Sequence, residues 1–244
     1  MNLIHFIKRP KAYFAALKQR LLRLWRSVAY KGDHVICGIC GWKGQQFFDG
    51  KCPKCNSLPR TRLVPFSLDY FNLIHPYLNI LHIAPNVHEY HFILKSIGEK
   101  ARYDRLNIRE VSFINVVQDI TRTTLANETY DLVLAWHVLE HIPEDKKAIQ
   151  EVYRLLKPGG HFLVSVPIYP KGNTTTYEDS SIAYEDYEAI HGHDDHCRSC
   201  GLDYCQRFEA VGFVVQTLEV KTINLNDIFK FGLLENHVVW CFKK

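Results

Sequence analysis

Four cysteines near the start of the chain fall as two Cys-x-x-Cys turns, Cys37–Cys40 and Cys52–Cys55, separated by eleven residues. Each turn offers two thiolates to one ion, and two turns complete the tetrahedron that Zn²⁺ prefers, with no position left for water. The spacing therefore predicts a structural metal in a zinc ribbon. Gly41 and Asn56 follow the second cysteine of each turn, and both residue types tolerate the left-handed backbone such a turn needs. A second concentration of reactive groups is His193-Asp194-Asp195-His196-Cys197-Arg198-Ser199-Cys200. It reads as the acid–base and packing groups of an active-site loop, or as a second metal site through His193, His196, Cys197 and Cys200.

These groups need a scaffold, and the apolar pattern after residue 79 supplies one. Strand-like runs at Asn79–Ala84, Ala101–Asn107, Asn115–Ile120, Tyr130–Trp136 and Gly160–Val166 alternate with helical patterns at His88–Ile97 and Lys146–Leu156. Asp203–Val211 reads as a further helix, and Phe213–Val220 and His237–Phe242 as two more strands. Such alternation predicts a mostly parallel sheet with helices on both faces, an α/β fold of Rossmann-like type. The expected organisation is a basic amphipathic helix over 1–32, the zinc ribbon over 33–58, a linker helix over 59–78 interrupted near Pro65, and the α/β domain over 79–244. Within that domain, 169–200 is polar, aromatic and His-rich without periodicity, and long loops of this kind are commonly functional.

Charge is placed unevenly. Residues 1–32 carry eight Lys/Arg and no Asp/Glu against a chain total of +4, so residues 33–244 net to −4. A uniformly cationic nucleic-acid binder is not built this way; a basic arm on a mildly acidic body is. Phe14, Leu17, Leu21, Leu24, Trp25 and Val28 share one side of a helical wheel, opposite Arg20, Arg23 and Arg26. The stripe either docks on the body or lies in a membrane interface facing anionic headgroups. No apolar run reaches the roughly 18 residues of a membrane span, and residues 3–7 are too short for the core of a secretory signal. A reducing cytoplasm, with peripheral contact at the inner face of a membrane, is the expected location.

The segments Leu81-His-Ile-Ala-Pro-Asn86, Tyr130-Asp-Leu-Val-Leu-Ala-Trp-His-Val-Leu-Glu-His141, Arg154-Leu-Leu-Lys-Pro-Gly-Gly160, Val166-Pro167 and Asp195-His196…Gly201-Leu-Asp-Tyr204…Gly212-Phe213 form a pattern. It resembles the class I S-adenosylmethionine-dependent methyltransferases, within them the zinc-ribbon-bearing, type 11-like methyltransferase-domain proteins. The resemblance implies a seven-stranded sheet with an antiparallel last strand and S-adenosylmethionine across the first two strand ends. Ala84, Pro85 and Asn86 would then pass beneath the methionine part. Asn107 stands where the family usually places an acidic residue for the ribose hydroxyls, a departure for which Asp104 could substitute. Asp119 matches the acidic residue that accepts from the adenine amine, and Trp136 and His137 would line the adenosine and methyl-transfer side. Glu140 and His141 are read as capping and bracing the following turn. The first-strand loop lacks the glycine patterns that cradle a pyrophosphate.

Methyl transfer from a sulfonium is an in-line displacement with a neutral leaving group, so the protein has to align the acceptor and remove a hydroxyl proton. Histidine titrates in the right range. The candidates are His137, His193 and His196, with His196 favoured, Asp195 orienting it, and Arg198 and Tyr204 positioning the acceptor. Tyr169, Tyr177, Tyr184 and Tyr187 beside several acidic residues suit a hydroxyl-rich acceptor, a glycan or sugar intermediate and, with the basic helix, one carried on lipid. Two other readings are an RNA methyltransferase gripping its substrate with ribbon and arm, and a non-catalytic methyltransferase-like binding module.

Overall fold

Apolar residues alternate along the predicted strands, and the sheet they form has two buried faces. The computed structural model describes residues 10–244. Helix α1 (Pro10–Ala29) leads into a small antiparallel pair, β1 (Lys31–Ile36) and β2 (Lys43–Gly44), and then α2 (Pro59–Tyr70). The α/β unit follows as β3 (Asn79–Ile83), α3 (Val87–Ser96), β4 (Arg102–Asn107), β5 (Val116–Val117), β6 (Tyr130–Trp136), α4 (Asp145–Leu155) and β7 (Leu156–Ser165). After a long insertion containing α5 (Tyr187–His191) come α6 (Gln206–Glu209), β8 (Val214–Glu219), α7 (Leu225–Phe231) and β9 (Val238–Lys243).

The seven strands lie in the order β5-β4-β3-β6-β7-β9-β8. All neighbouring pairs are parallel except those of β9, which runs antiparallel to both β7 and β8. This is the Rossmann-like sheet with an antiparallel last strand that the sequence implies. Strand β6 is central, and its side chains divide by period two: Val133 and Ala135 enter one core, Leu132, Leu134 and Trp136 the other. The first core is closed by Ala148, Ile149, Val152 and Leu155 of α4 with Tyr204 and Phe208; the second by Leu63, Val64 and Leu68 of α2, Ile93 of α3 and Ile228 of α7.

Several elements differ from expectation. The strand expected over Asn115–Ile120 shortens to Val116–Val117 at the sheet edge, and Asp203–Val211 becomes a 3-10 turn followed by one turn of α-helix. Helix α2 is not interrupted. It runs through Pro65 and buries Thr61, Arg62, Leu63, Val64, Ser67 and Leu68, because a face packed against the sheet outweighs the hydrogen bond that proline forfeits. The segment read as a linker is thus a wall of the second core. Its ring also fits the ribbon: a Cβ on Gly38 would come within 2.8 Å of Pro65 Cγ.

Residues 1–9 of the basic arm lie outside the described residues. The C-terminal end of α1 meets the ribbon. Trp42 Nε1 donates to the Ser27 carbonyl at 2.9 Å and the Arg26 guanidinium sits 4.6 Å from the Phe48 ring centre. Of the apolar stripe, Leu21, Leu24, Trp25 and Val28 are 56–66 % exposed. Among the described residues no helix is long and apolar enough to cross a membrane.

Candidate active site and metal centres

The loop after β3 and the end of β6 meet at the carboxyl edge of the sheet, where open α/β folds bind their ligands. Both turns are strained. Ala84 has φ +47° and His137 φ +53°, left-handed conformations that cost a non-glycine residue about 1–2 kcal/mol each. The strands hold them there: Ala84 N–H donates to Leu106 O at 2.7 Å and His137 N–H to Ser165 O at 2.8 Å. Two of the seven non-glycine residues with positive φ among the described residues thus stand on adjacent strand ends, where strain commonly accompanies a site. Pro85 follows, and Asn86 caps α3. Its Oδ1 accepts from the His88 and Glu89 amides at 2.9 and 3.1 Å, while Glu89 Oε2 accepts from Asn86 N–H at 3.1 Å. The Asn86 side chain, expected at the cofactor, is therefore committed to the helix start. Behind it, buried His82 faces Tyr103 OH at 3.0 Å and Glu89 Oε2 at 3.6 Å, a polar buttress that the sequence reading missed.

Asn107 closes β4, its Oδ1 accepting from Arg109 N–H at 3.1 Å. Asp104 does not stand in for it. That residue lies three positions back in mid-strand, and its carboxylate accepts from Tyr130 OH and Arg102 Nε, both at 2.7 Å, and from Asn115 Nδ2 at 3.2 Å. Asp119 Oδ1 accepts from Thr121 N–H at 2.9 Å and Thr121 Oγ1 at 2.8 Å, bonds that hold its carboxyl below the usual range. Trp136 is buried, with Nε1 donating to Arg60 O at 2.9 Å; it packs beneath α2 rather than lining a ligand face.

After β6 the chain turns through His137 into a 3-10 turn, Leu139–His141. Here the expectation that Glu140 and His141 brace the turn is corrected. Glu140 is fully buried, yet neither carboxylate oxygen accepts a hydrogen bond from the described residues. Oε1 instead lies 3.5 Å from His137 Nδ1 and 3.8 Å from His141 Nε2. The insertion adds His196, whose ring centre is 4.8 Å from that of His141 and 4.9 Å from that of His193. Burial pushes the His196 imidazole below its ordinary pKa, against the charge of Glu140, so it stands neutral at neutral pH. Asp195 does not orient His196. Its Oδ1 sits 2.6 Å from His193 Nδ1 and 3.2 Å from His141 Nδ1.

Arg198 and Tyr204, expected to position an acceptor, are buried structural groups. Arg198 donates from Nη1 to Leu139 O at 2.5 Å and Ile142 O at 2.8 Å, from Nη2 to Pro143 O at 3.0 Å, and from Nε to Glu178 at 2.9 Å. It thereby pins the turn carrying Glu140 and His141 to the insertion carrying Asp195 and His196. Tyr204 OH donates to Asp145 Oδ2 at 2.7 Å inside the first core. Glu140 and His141, read from sequence only as bracing the turn, carried a further signal: an acid between two histidines at the end of the central strand.

The ribbon cysteines converge as predicted. Gly41 and Asn56 have φ +69° and +66°, and the two turns close alike, with Gly41 N–H donating to Cys37 O and Asn56 N–H to Cys52 O, both at 2.8 Å. Sγ–Sγ distances of 3.7 Å for Cys37–Cys55 and Cys40–Cys52 match the edge of about 3.8 Å that a tetrahedron with Zn–S bonds of about 2.3 Å requires. The residues therefore fit the ion. The second-metal reading through Cys197 and Cys200 finds no such convergence: Cys197 Sγ turns to the Glu140 carbonyl at 3.1 Å and Cys200 is buried in the first core.

Residues 91–164 match the family profile described as "Methyltransferase domain". A Mycolicibacterium smegmatis protein named "Probable S-adenosylmethionine-dependent methyltransferase" is 34 % identical over 68 residues, 28 % of this chain and 24 % of that protein. The sterol 4-C-methyltransferase strm-1 of Caenorhabditis elegans is 27 % identical over 114 residues, 47 % of this chain and 32 % of that one. The chain thus spans about a quarter to a third of these curated relatives. In fold it is similar to the Burkholderia thailandensis 1,6-didemethyltoxoflavin-N1-methyltransferase, solved with S-adenosylhomocysteine, at TM-score 0.51 and 14 % identity over 76 % of each chain. The matched segment runs from α3 through β7 and takes in the β6 end described above. Residues 91–164 thus match a methyltransferase-domain profile, and the sheet that contains them is similar in fold to that of a solved methyltransferase.

Proposed function

We propose that this chain transfers the methyl group of S-adenosylmethionine to a hydroxyl oxygen of a sugar or glycan intermediate. The observation that carries this reading is the Asp195–His193 pair at the mouth of the β6 turn. Asp195 Oδ1 and Asp194 Oδ1 hold His193 Nδ1 at 2.6 and 2.7 Å, which leaves Nε2 to receive a proton. The donor lies over the β3 and β6 ends, bounded by Ala84, Pro85, Asn107, Asp119 and His137. S-adenosylmethionine supplies an electrophilic methyl on a sulfonium. The acceptor oxygen attacks in line, its proton goes to His193, and the C–S electron pair returns to sulfur. Exposed Tyr177 and Tyr184 on the same insertion offer faces on which a sugar ring stacks.

Two further features fit this reading. Cys37, Cys40, Cys52 and Cys55 hold a structural Zn²⁺, away from the chemistry. Helix α1 lays its exposed apolar stripe on a membrane surface, bringing the domain to a lipid-carried acceptor. The test incubates the purified protein with methyl-labelled S-adenosylmethionine and separate carbohydrate, lipid and RNA fractions, alongside calorimetry with the donor alone. Label in carbohydrate, free or lipid-linked, is the expected result, with kcat reduced about tenfold or more in Asp195→Asn. Label in RNA would overturn the acceptor; no heat on donor binding would overturn the enzyme.

A further inference from the structure

Glu140 poses a physical problem that the proposed reaction leaves unsolved. Its side chain is 1 % exposed, and taking a carboxylate out of water without hydrogen bonds costs several kcal/mol unless something compensates it. Its surroundings are imidazoles, at separations too long for good hydrogen bonds: 3.5 Å to His137 Nδ1 and 3.8 Å to His141 Nε2. One ligand atom each from Glu140, His141 and His196 lies within 4.8 Å of the others, and His196 Nδ1 is itself buried without a hydrogen-bond partner. Atoms bound to one ion at about 2.1 Å stand about 3.0–3.4 Å apart when adjacent and about 4.2 Å apart when opposite. A contraction of at most about 2 Å turns this trio into a ligand set.

We infer that Glu140, His141 and His196 bind a divalent transition-metal cation that takes part in methyl transfer, distinct from the ribbon zinc. Two imidazoles and one carboxylate favour ions such as Mn²⁺, Co²⁺ or Zn²⁺ over Mg²⁺ or Ca²⁺. Three protein ligands leave coordination positions open, and the cluster opens to solvent on the side of His141, whose side chain is 33 % exposed. An acceptor hydroxyl bound there loses its proton more readily, as water does on such an ion. That proton passes to His193 Nε2. The oxygen then forms its bond to the methyl carbon as the C–S bond breaks and the electron pair goes to sulfur. The open positions also select the acceptor: a second oxygen beside the methylated hydroxyl, as in a vicinal diol, chelates the ion. This inference rests on the methyltransferase reading for its chemistry but not for its site.

The experiment separates the two. Full-length, zinc-loaded protein is titrated with Mn²⁺ while electron paramagnetic resonance follows the free ion, in the absence of donor and acceptor. One Mn²⁺ per chain is expected, with affinity at least tenfold weaker in Glu140→Gln and in His196→Asn, and unchanged in His161→Asn, which lies on β7 outside the cluster. Should Glu140→Gln fail to fold, His141→Asn serves in its place. Binding only above about 1 mM, or binding equally tight in wild type and cluster variants, overturns the site. Because the titration contains no S-adenosylmethionine, its failure leaves the methyltransferase reading standing, and failure of donor binding by calorimetry leaves the cation site standing.

Discussion

His237 shows how one half-buried imidazole converts position into pH dependence. It precedes β9, its ring centre is 6.4 Å from that of His137, and its Nδ1 has no hydrogen-bond partner among the described residues. Burial, with His137 and Arg60 nearby, pushes its pKa down to about 4. Between pH 6.5 and about 4 the unfolded chain therefore binds this proton and the folded chain does not. Stability falls as pH drops through that window, by up to about 3 kcal/mol from this group, and flattens below it. His161, His191 and His196 are shifted in the same direction, so the contribution of His237 is read by difference. The urea midpoint of His237→Gln should change less than that of wild type between pH 7 and pH 4.5. Equal changes would refute the assignment. At this scale sequence was informative where a residue type has few uses: the paired cysteines converge as their spacing implies, and Gly41 and Asn56 announce their turns. It was misleading for Arg198 and Tyr204, because a polar side chain near a motif carries no mark of whether its partners are a ligand or the backbone of residues 139–143.

Helix α2 joins the ribbon to the sheet, and Arg62 is the joint. Its guanidinium is buried, donating to Ser57 O at 2.7 Å and Gly50 O at 3.0 Å on the ribbon side, and to Phe231 O at 2.9 Å and Gly232 O at 2.6 Å after α7. Its face covers the Phe47 ring at 3.8 Å. Burial lowers the Arg62 pKa while the thiolate charges of the four cysteines oppose that effect. Nearby thiolate charge thus favours the buried cation, and two of its four carbonyl partners, Ser57 O and Gly50 O, belong to the ribbon. Zinc removal should propagate through this joint. Purified protein is expected to hold one zinc per chain in the ribbon by mass spectrometry. Cys52→Ser should lose it and melt at least about 5 °C lower, the size of an effect of a few kcal/mol in a chain of this length. A zinc-free variant with unaltered melting would show that the ribbon folds without the metal. The main strands were legible because period-two apolar runs report burial directly. The role of α2 was not, since its pattern is blurred by Arg62 and Pro65, whose partners lie up to 170 residues away in sequence.

For the molecule as a whole the unresolved force is the surface of α1. Leu21, Leu24, Trp25 and Val28 present an exposed apolar stripe, and the ribbon meets the helix end through Ser27 and Arg26. Lys18 and Arg20 are exposed on the same helix, and the body behind it is acidic. A molecule with this polarity orients on an anionic surface: each basic side chain near the headgroups adds about 1 kcal/mol and buried apolar area adds the rest. On the function proposed above, helix α1 would lie in the interface with the −4 body held off it. Flotation with phosphatidylcholine vesicles containing about a third phosphatidylserine should carry wild-type protein upward at low salt and less at 0.5 M salt, because that ionic strength shortens the screening length to a few ångströms. The double variant Leu21→Asp/Leu24→Asp should stay at the bottom with unchanged melting temperature, since neither side chain supports the core. Flotation of both forms alike, or of neither, would assign the stripe to something other than a membrane.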